Sequence, residues 1–212
     1  MPPCLLTGGR INSARFPEVL AYHAHVHLLG NSAGVSLAGP LESVSIEDLE
    51  WVFGINFWGT VYGCRCFLPI LRKEPRAQIA NILSDFALLG FPTKSAYCAT
   101  KFAGRGFTEA LRAELHGTGV GVTAVYPGPA STGLVKSGRA CDPAWQAHEH
   151  AFLQRRGLTP AVVSERMLRG IECDSARVLI GWETHVMDAM TRLCPSLTAE
   201  FVARLRAALG FA

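Results

Sequence analysis

A tyrosine and a lysine four residues apart, Tyr97 and Lys101, are the side chains in this sequence best suited to chemistry. Residues with this spacing lie on one face of an α-helix, within reach of each other. A phenol there can exchange a proton with a carbonyl or alcohol oxygen if a nearby ammonium group lowers its pKa from about 10. Ser84 lies thirteen positions before Tyr97 at the end of an apolar segment, and its hydroxyl can bind the same oxygen. The three residue types favour hydride transfer over hydrolysis.

The elements that must position these side chains are predicted to be alternating strands and helices. Buried apolar segments predict strands at residues 26–30, 77–83, 121–126 and 177–181. Helical spacing predicts helices at residues 45–72, 95–115 and 159–172, and two further helical pieces, split at Pro195, in a tail of residues 184–212. Regular alternation of this kind is typical of a parallel sheet with helices on both faces. No linker interrupts residues 1–212, so we expect one domain.

Composition narrows the class of protein. The 212 residues contain 49% hydrophobic and 17% charged residues, which is typical of a globular domain with a sizeable core. The net charge is +3 and no basic run or basic aromatic helix face occurs, so nucleic acid is not expected as a partner. No apolar run approaches the ~18 residues of a membrane span, and the first residues lack a signal-peptide pattern. We therefore expect a cytoplasmic protein.

Cysteine and histidine patterns do not predict a metal site or a disulfide framework. The seven cysteines show no paired spacing, which favours free and mostly buried thiols. Three histidines alternate at His23, His25 and His27, so they share one side of an extended segment. No carboxylate or cysteine nearby in the sequence completes a ligand set, and we interpret them as surface and turn residues.

Five segments, in order, resemble the short-chain dehydrogenase/reductase family over residues 16–193. These are the turn Asn31-Ser32-Ala33-Gly34, the helical segment Gly54-Ile55-Asn56-Phe57-Trp58-Gly59, Ser84, the pair Tyr97 and Lys101, and Tyr126-Pro127-Gly128-Pro129 with Thr132. A tyrosine and a lysine four residues apart are common by chance. All five segments in the order that the family has them are a specific sign of that family. The resemblance implies an α/β fold, a Rossmann-like doubly wound parallel sheet, and an NAD(P)-dependent oxidoreductase acting on a carbonyl or secondary alcohol.

The resemblance also implies roles for individual residues. Tyr97 would be the general acid in reduction and the general base in oxidation, and Lys101 would lower its pKa and bind the nicotinamide ribose. Ser84 would orient the substrate oxygen, and Asn56 would hold a water that links Lys101 to solvent. Contacts with NAD or NADP would come from Asn31, Ala33, Gly34, Tyr97, Lys101, Pro127, Gly128 and Thr132.

The substrate side and the assembly follow from the same resemblance. Asp85 and residues 86–91 would form the substrate wall, and residues 131–158 would form a lid. The lid residues Trp145, Phe152 and Leu153 suggest an apolar or bulky small-molecule substrate. The two long helices would pair with their copies in a homodimer or homotetramer through apolar outer residues, namely Phe53, Tyr62, Phe67 and Phe107.

One part of the family pattern is missing. Residues 1–15 resemble a remnant of the first strand and of the glycine-rich turn, with Thr7-Gly8-Gly9 at its start. About fifty residues that the family places next, including the residue that selects NAD or NADP, have no counterpart. We interpret this as a deletion or a truncated reading frame that removes part of the N-terminal βαβ half. An inactive fragment, or a binding protein that cannot hold the cofactor, is therefore the alternative. A hydrolase using Ser84 is a weaker third reading, because no nucleophile elbow surrounds it.

Overall fold

The structure is a computed structural model that describes residues 25–208. The proposed first strand and glycine-rich turn in residues 1–15 lie outside the described residues, as does His23. Within the described part of the chain the strands are β1 (Leu28–Asn31), β2 (Leu37–Ala38), β3 (Ala77–Ile82), β4 (Val120–Pro127), β5 (Arg139–Ala140) and β6 (Arg177–Ile180). The α-helices are α1 (Ile46–Phe53), α2 (Gly59–Leu71), α3 (Ser95–Glu114), α4 (Pro143–Arg156), α5 (Pro160–Glu172), α6 (Trp182–Leu193) and α7 (Pro195–Ala208).

The main sheet is parallel, with four strands in the order β1-β3-β4-β6 among the described residues. Ile79 pairs with Leu29 on one side and with Val122 on the other, so β3 lies inside the sheet. Strands β3 and β4 are buried along most of their length, which explains their nearly continuous apolar sequences. The predicted α/β class, with a parallel sheet in one domain, is confirmed.

Helices cover both faces of the sheet. On one face, Phe67 and Leu71 of α2 and Leu111 of α3 form a core cluster with Ile79 and Val122. Residues of a strand alternate between faces, so Val125 faces away from this cluster, as does its partner Val178 on β6. Val178 contacts Gly170 of α5, where a Cβ atom would lie 2.2 Å from its Cγ2. Helix α5 therefore covers the opposite face, as a doubly wound sheet requires.

Capping residues start two of the helices where the sequence predicts. The Ser45 hydroxyl accepts a hydrogen bond from the Asp48 amide at 3.1 Å and begins α1. Thr159 accepts from the Val162 amide and begins α5, with Pro160 in the first turn. The predicted helix over residues 45–72 is not one continuous α-helix, however. A π-helical segment, Gly54–Trp58, separates α1 from α2 and contains the buried Asn56. Segments of this type often occur at functional sites.

Residues 131–158 form a separate layer over the carboxyl edge of the sheet. Their short strand β5 pairs in parallel with β2, where Leu37 is opposite Arg139 and Ala38 is opposite Ala140. A single bridge between Ala130 and Leu158 closes the base of this layer. The β2–β5 ladder was not predicted, because two-residue strands leave no periodic pattern in the sequence. It fixes the predicted lid to the loop that follows β1.

Candidate active site

A cavity of about 600 Å³ lies at the carboxyl edge of the parallel sheet. Three of its walls are chain segments that follow neighbouring strands: Ser32 and Gly34 after β1, Ser84 after β3, and Gly128 after β4. Such crevices are where ligands bind in open α/β sheets. Helix α3 supplies a further wall with Tyr97 and Lys101, and the layer of residues 131–158 covers the opening.

Ser84, Tyr97 and Lys101 all line this cavity and are all buried. Tyr97 and Lys101 are one helical turn apart on α3, and the Lys101 Nζ lies 5.7 Å from the centre of the Tyr97 ring. Lys101 also donates a hydrogen bond to the Ile82 carbonyl at 3.2 Å, near the end of β3. The thirteen positions from Ser84 to Tyr97 lead from the end of β3, through a loop, to the first turn of α3.

Burial controls the proton affinity of these groups. It raises the pKa of the Tyr97 phenol above its ordinary value, because the charged phenolate would be taken out of water. Burial lowers the pKa of Lys101 to about 8, because the charged ammonium is taken out of water. Burial also raises the pKa of Asp85, next to Ser84, to about 6. Three perturbed groups around one cavity are typical of a site for acid–base chemistry.

Asn56 fixes the loop that forms one wall of the cavity. Its side-chain oxygen accepts from the Val35 amide at 2.8 Å, and its amide nitrogen donates to the Val35 carbonyl at 3.0 Å and to the Thr100 hydroxyl at 3.1 Å. A Cβ atom at Gly34 would lie 3.4 Å from the Asn56 Oδ1 and 3.6 Å from the Lys101 Nζ. Position 34 therefore lies in van der Waals range of both the Asn56 side chain and the Lys101 ammonium.

The structure brings most, but not all, of the residues predicted to bind a cofactor to the cavity. Gly34, Pro127, Gly128 and Thr132 line it, together with Tyr97 and Lys101. At Gly128 a Cβ atom would lie 2.8 Å from the Thr184 hydroxyl oxygen, so the turn after β4 needs glycine to pack this closely.

Asn31, Ala33 and Asn56 do not line the cavity. Asn31 instead donates to the Asn81 side-chain oxygen at 2.8 Å and to the Cys64 sulfur at 3.3 Å, between β1, β3 and α2. Ala33 is exposed in the loop after β1. The expectation that Asn31 and Ala33 contact the cofactor gains no support from this placement. The reason is that the side chain of Asn31 is used to join neighbouring elements, and the residues of the following loop that line the cavity are Ser32, Gly34 and Ser36.

The remaining wall is mostly apolar. The predicted substrate-side residues Asp85, Phe86 and Phe91 line it, and so do the lid residues Trp145, Phe152 and Leu153. The Phe86 ring meets the Tyr97 ring edge to face, with centroids 6.0 Å apart. Further apolar lining comes from Leu134, Val163 and Met167, the last two on α5, which the sequence did not reveal.

An ion pair at the cavity wall, between a buried lysine and a partly exposed glutamate, was also not predicted. Lys94, three residues before Tyr97, donates to the Glu149 carboxylate of α4 at 2.5 Å and to the Ser36 hydroxyl at 2.8 Å. The Lys94 side chain is 9% exposed and that of Glu149 is 25% exposed. In the sequence Lys94 is the last residue before a helix, where a lysine is most often solvated. Only the distance to Glu149, 55 residues later, reveals its partner.

Comparison with known proteins identifies the family. Residues 12–142 match the family model described as short chain dehydrogenase. The chain is 34% identical to SadH of Mycobacterium tuberculosis, named as an oxidoreductase, over 196 residues, which is 90% of this chain and 70% of that protein. The chain belongs to the short-chain dehydrogenase/reductase family. Members of this family are oxidoreductases, so the chain is an enzyme of that class, as the five sequence segments predicted.

Other relatives agree with this assignment. The 3-ketodihydrosphingosine reductase of Bacteroides thetaiotaomicron is 32% identical over 149 residues, covering 70% of this chain and 55% of that protein. A short-chain dehydrogenase/reductase of Burkholderia phymatum, solved in complex with NAD, superposes with a TM-score of 0.75 at 31% identity. That alignment covers 88% of this chain and 71% of the Burkholderia chain. The fold is therefore shared with a family member that was solved with NAD bound.

The cavity residues fit the nicotinamide end of such a cofactor. Gly34 and Gly128 line the cavity without side chains, the buried Lys101 would offer N–H donors, and Thr132 would offer a hydroxyl. Residues 25–208 contain no group of three or more His, Cys, Asp or Glu side chains arranged to hold a metal ion. In the same part of the chain, no helix combines the length and the apolar character needed to cross a membrane.

Proposed function

We propose that this chain transfers a hydride between NAD or NADP and the carbonyl carbon of an apolar or bulky ketone, or the reverse from a secondary alcohol. The observation that carries the proposal is the convergence of Ser84, Tyr97 and Lys101 on one cavity from a strand end and a helix. The Burkholderia relative bound to NAD and the relative named as a ketosphingosine reductase support the cofactor and the carbonyl class.

In the proposed reaction the nicotinamide, when bound, supplies or accepts the hydride. Tyr97 donates a proton from its phenol to the substrate oxygen in reduction and removes it in oxidation. Ser84 hydrogen-bonds the same oxygen, and the Lys101 ammonium stabilises negative charge on the phenol and binds the ribose. Asn56 keeps the water-holding role that its family position implies, and its side chain also holds the Gly34 loop in place.

The shape of the cavity supports an apolar substrate. Aromatic and aliphatic side chains from the loop after Ser84, from α4 and from α5 form the wall opposite the glycine loops. Burying such a substrate against them contributes roughly 25 cal/mol per Å² of apolar surface removed from water. Polar groups from the same segments also line the cavity, among them Asp85, the Lys94–Glu149 pair, His148 and Ser164, and these can orient a polar end of the substrate.

Cofactor binding separates an active enzyme from an inactive relative. The purified chain is titrated with NADH and with NADPH, and the fluorescence of the reduced nicotinamide reports binding. We expect saturable binding of one of the two, lost in Lys101→Met and retained in the surface variant Lys73→Met. If neither binds even at millimolar concentration, the chain is the cofactor-deficient binding protein that is the alternative.

Assembly and location complete the proposal. We expect a homodimer or homotetramer in which α1–α2 and α3 pair with their copies, since Trp58, Tyr62 and Phe102 are exposed there. Phe67, which we expected on this outer face, is instead buried in the core because it packs against β3 and β4. Light scattering that gives a monomer would contradict the pairing.

Free thiols throughout the described residues support a reducing, cytoplasmic location.

A further inference from the structure

Asp85 is a buried carboxyl at the cavity wall that the proposed reaction does not use. It begins a single turn of 3₁₀-helix, Asp85–Ala87, directly after Ser84, and is 6% exposed. Its Oδ1 accepts two hydrogen bonds, from the Ser84 hydroxyl at 2.7 Å and from the Phe86 amide at 2.9 Å. A charged group held this close to a catalytic hydroxyl affects what that hydroxyl can do.

The serine hydroxyl has one hydrogen to give. Because Ser84 donates it to Asp85, the Ser84 oxygen presents only lone pairs to Tyr97 and to the cavity, and it also accepts from the Phe86 amide at 3.2 Å. A carbonyl oxygen that is being reduced gains negative charge and is stabilised by donors, not by acceptors. In the geometry seen here, Ser84 therefore cannot assist reduction until its hydrogen is released from Asp85.

We propose that Asp85 is a positioning residue that acts through Ser84: by holding or releasing the serine hydrogen, it sets the pH range in which the site reduces a carbonyl. This inference rests on the proposed function. When Asp85 is neutral it can donate its own proton to the Ser84 oxygen, and its remaining oxygen is a weaker acceptor than a carboxylate, so the Ser84 hydrogen can turn to the substrate oxygen beside Tyr97. When Asp85 is ionised it keeps the serine hydrogen and also places a negative charge near the developing alkoxide.

The groups around Asp85 set the pH at which this change occurs. Tyr97 and Cys98 face it from α3, and Glu183 faces it from α6. Burial raises the pKa of Asp85 to about 6 and Glu183 raises it further in the same direction, while the hydrogen bonds from Ser84 and Phe86 lower it. The two protonation states therefore exchange within the range where the enzyme can be assayed.

Kinetics as a function of pH test the proposal. Acetophenone and 2-decanone serve as apolar ketone probes, with whichever reduced cofactor binds. We expect kcat for the wild type to fall about tenfold as the pH rises through about 6, and Asp85→Asn to lack this fall and exceed the wild type above neutral pH. Glu183→Gln is expected to move the inflection to lower pH. If Asp85→Asn lowers kcat by one factor at every pH, its role is only structural and the proposal is overturned.

A measurement without turnover distinguishes failure of this inference from failure of the proposed function. Aspartate labelled with ¹³C at the carboxyl group is titrated by NMR, and Asp85→Asn identifies the Asp85 signal among the five aspartates. Ser84→Ala should raise the Asp85 midpoint, weakening acid dissociation by about 3- to 10-fold, because one hydrogen bond to the carboxylate is lost. An unchanged midpoint would sink the inference even in an active enzyme. Loss of cofactor binding would instead reject the proposed function.

Discussion

Two regions that face each other across the cavity are held in different ways. The catalytic wall is formed by buried groups that bond to backbone: Asn56 to Val35, and Lys101 to Ile82. The lid helix α4 has no buried residue and is tied to the start of α3 by the ion pair between Glu149 and Lys94. The contrast indicates that the reacting groups are fixed before a substrate arrives, while the cover over them is held by contacts that water can replace.

The largest effect should come from the reacting group itself. Tyr97→Phe removes only the phenolic hydroxyl, so it leaves no proton donor beside the substrate oxygen. We expect kcat to fall by about 10²–10⁴-fold while cofactor binding persists. Tyr62→Phe, on the exposed face of α2, is the matched control and should keep full activity. Comparable losses in both variants would mean that the effect comes from the fold and not from the phenol.

Asp85 gives the next largest effect, on stability. Its folded pKa of about 6 lies above the ordinary value of 3.8, so the folded state favours the neutral acid. The resulting stabilisation of the folded protein is complete below the pKa that Asp85 has in the unfolded chain. It is lost as the pH rises through the pKa that Asp85 has in the folded protein. The unfolding free energy of Asp85→Asn relative to the wild type should therefore increase by about 3 kcal/mol between about pH 3 and pH 8. Urea denaturation at several pH values measures it; a difference independent of pH would contradict this environment for Asp85.

A matched pair of amides compares the two regions directly. Asn56→Ala removes three hydrogen bonds to buried groups at the catalytic wall, and we expect it to cost about 2 kcal/mol of unfolding free energy. Gln146→Ala removes two hydrogen bonds, to Val135 and Gly138, within the lid layer. Water can replace these, so the expected loss is about 0.5 kcal/mol. Equal losses in urea denaturation would erase the distinction between wall and lid.

The smallest effect on global stability should come from the ion pair between Lys94 and Glu149, which joins the lid to the start of α3. Lys94→Met removes the cation that pairs with Glu149, and since Glu149 is partly exposed its carboxylate can be solvated. We expect a change of at most about 1 kcal/mol in unfolding free energy, but faster hydrogen exchange of the α4 amides and a larger effect on KM than on kcat. Glu165→Gln, which breaks the exposed Glu165–Arg169 pair on α5, is the control. Unchanged exchange in α4 would show that other contacts hold the lid.

The order of elements and the catalytic wall were predictable because both leave local signals. Ser84, Tyr97 and Lys101 are linked by spacing along one strand–loop–helix unit, and apolar periodicity marks β3, β4 and α3. The Lys94–Glu149 pair and the β2–β5 ladder join segments far apart in the chain, so no local pattern records them. The π-helical segment likewise depends on bonds between Asn56 and Val35 across the fold.

The cofactor contact predicted for Asn31 stays a prediction, and the structure gives its side chain another use. Its position in a turn that resembles a family motif predicted a cofactor contact, yet its amide is used to join β1 to β3 and α2. A motif fixes the path of the backbone, and the direction of each side chain then depends on what is packed beside it. Gly34, which has no side chain to redirect, lies at the cavity as predicted.

Transfer of a labelled hydride tests the central claim most directly. The chain is incubated with acetophenone and with reduced cofactor deuterated at C4 of the nicotinamide, and the alcohol formed is examined by mass spectrometry. With deuterium at both C4 positions, the account predicts deuterium on the carbinol carbon with the wild type and at least about 100-fold less deuterated alcohol with Tyr97→Phe in the same time. A wild-type chain that binds the cofactor and admits the ketone, yet forms no deuterated alcohol, would contradict it.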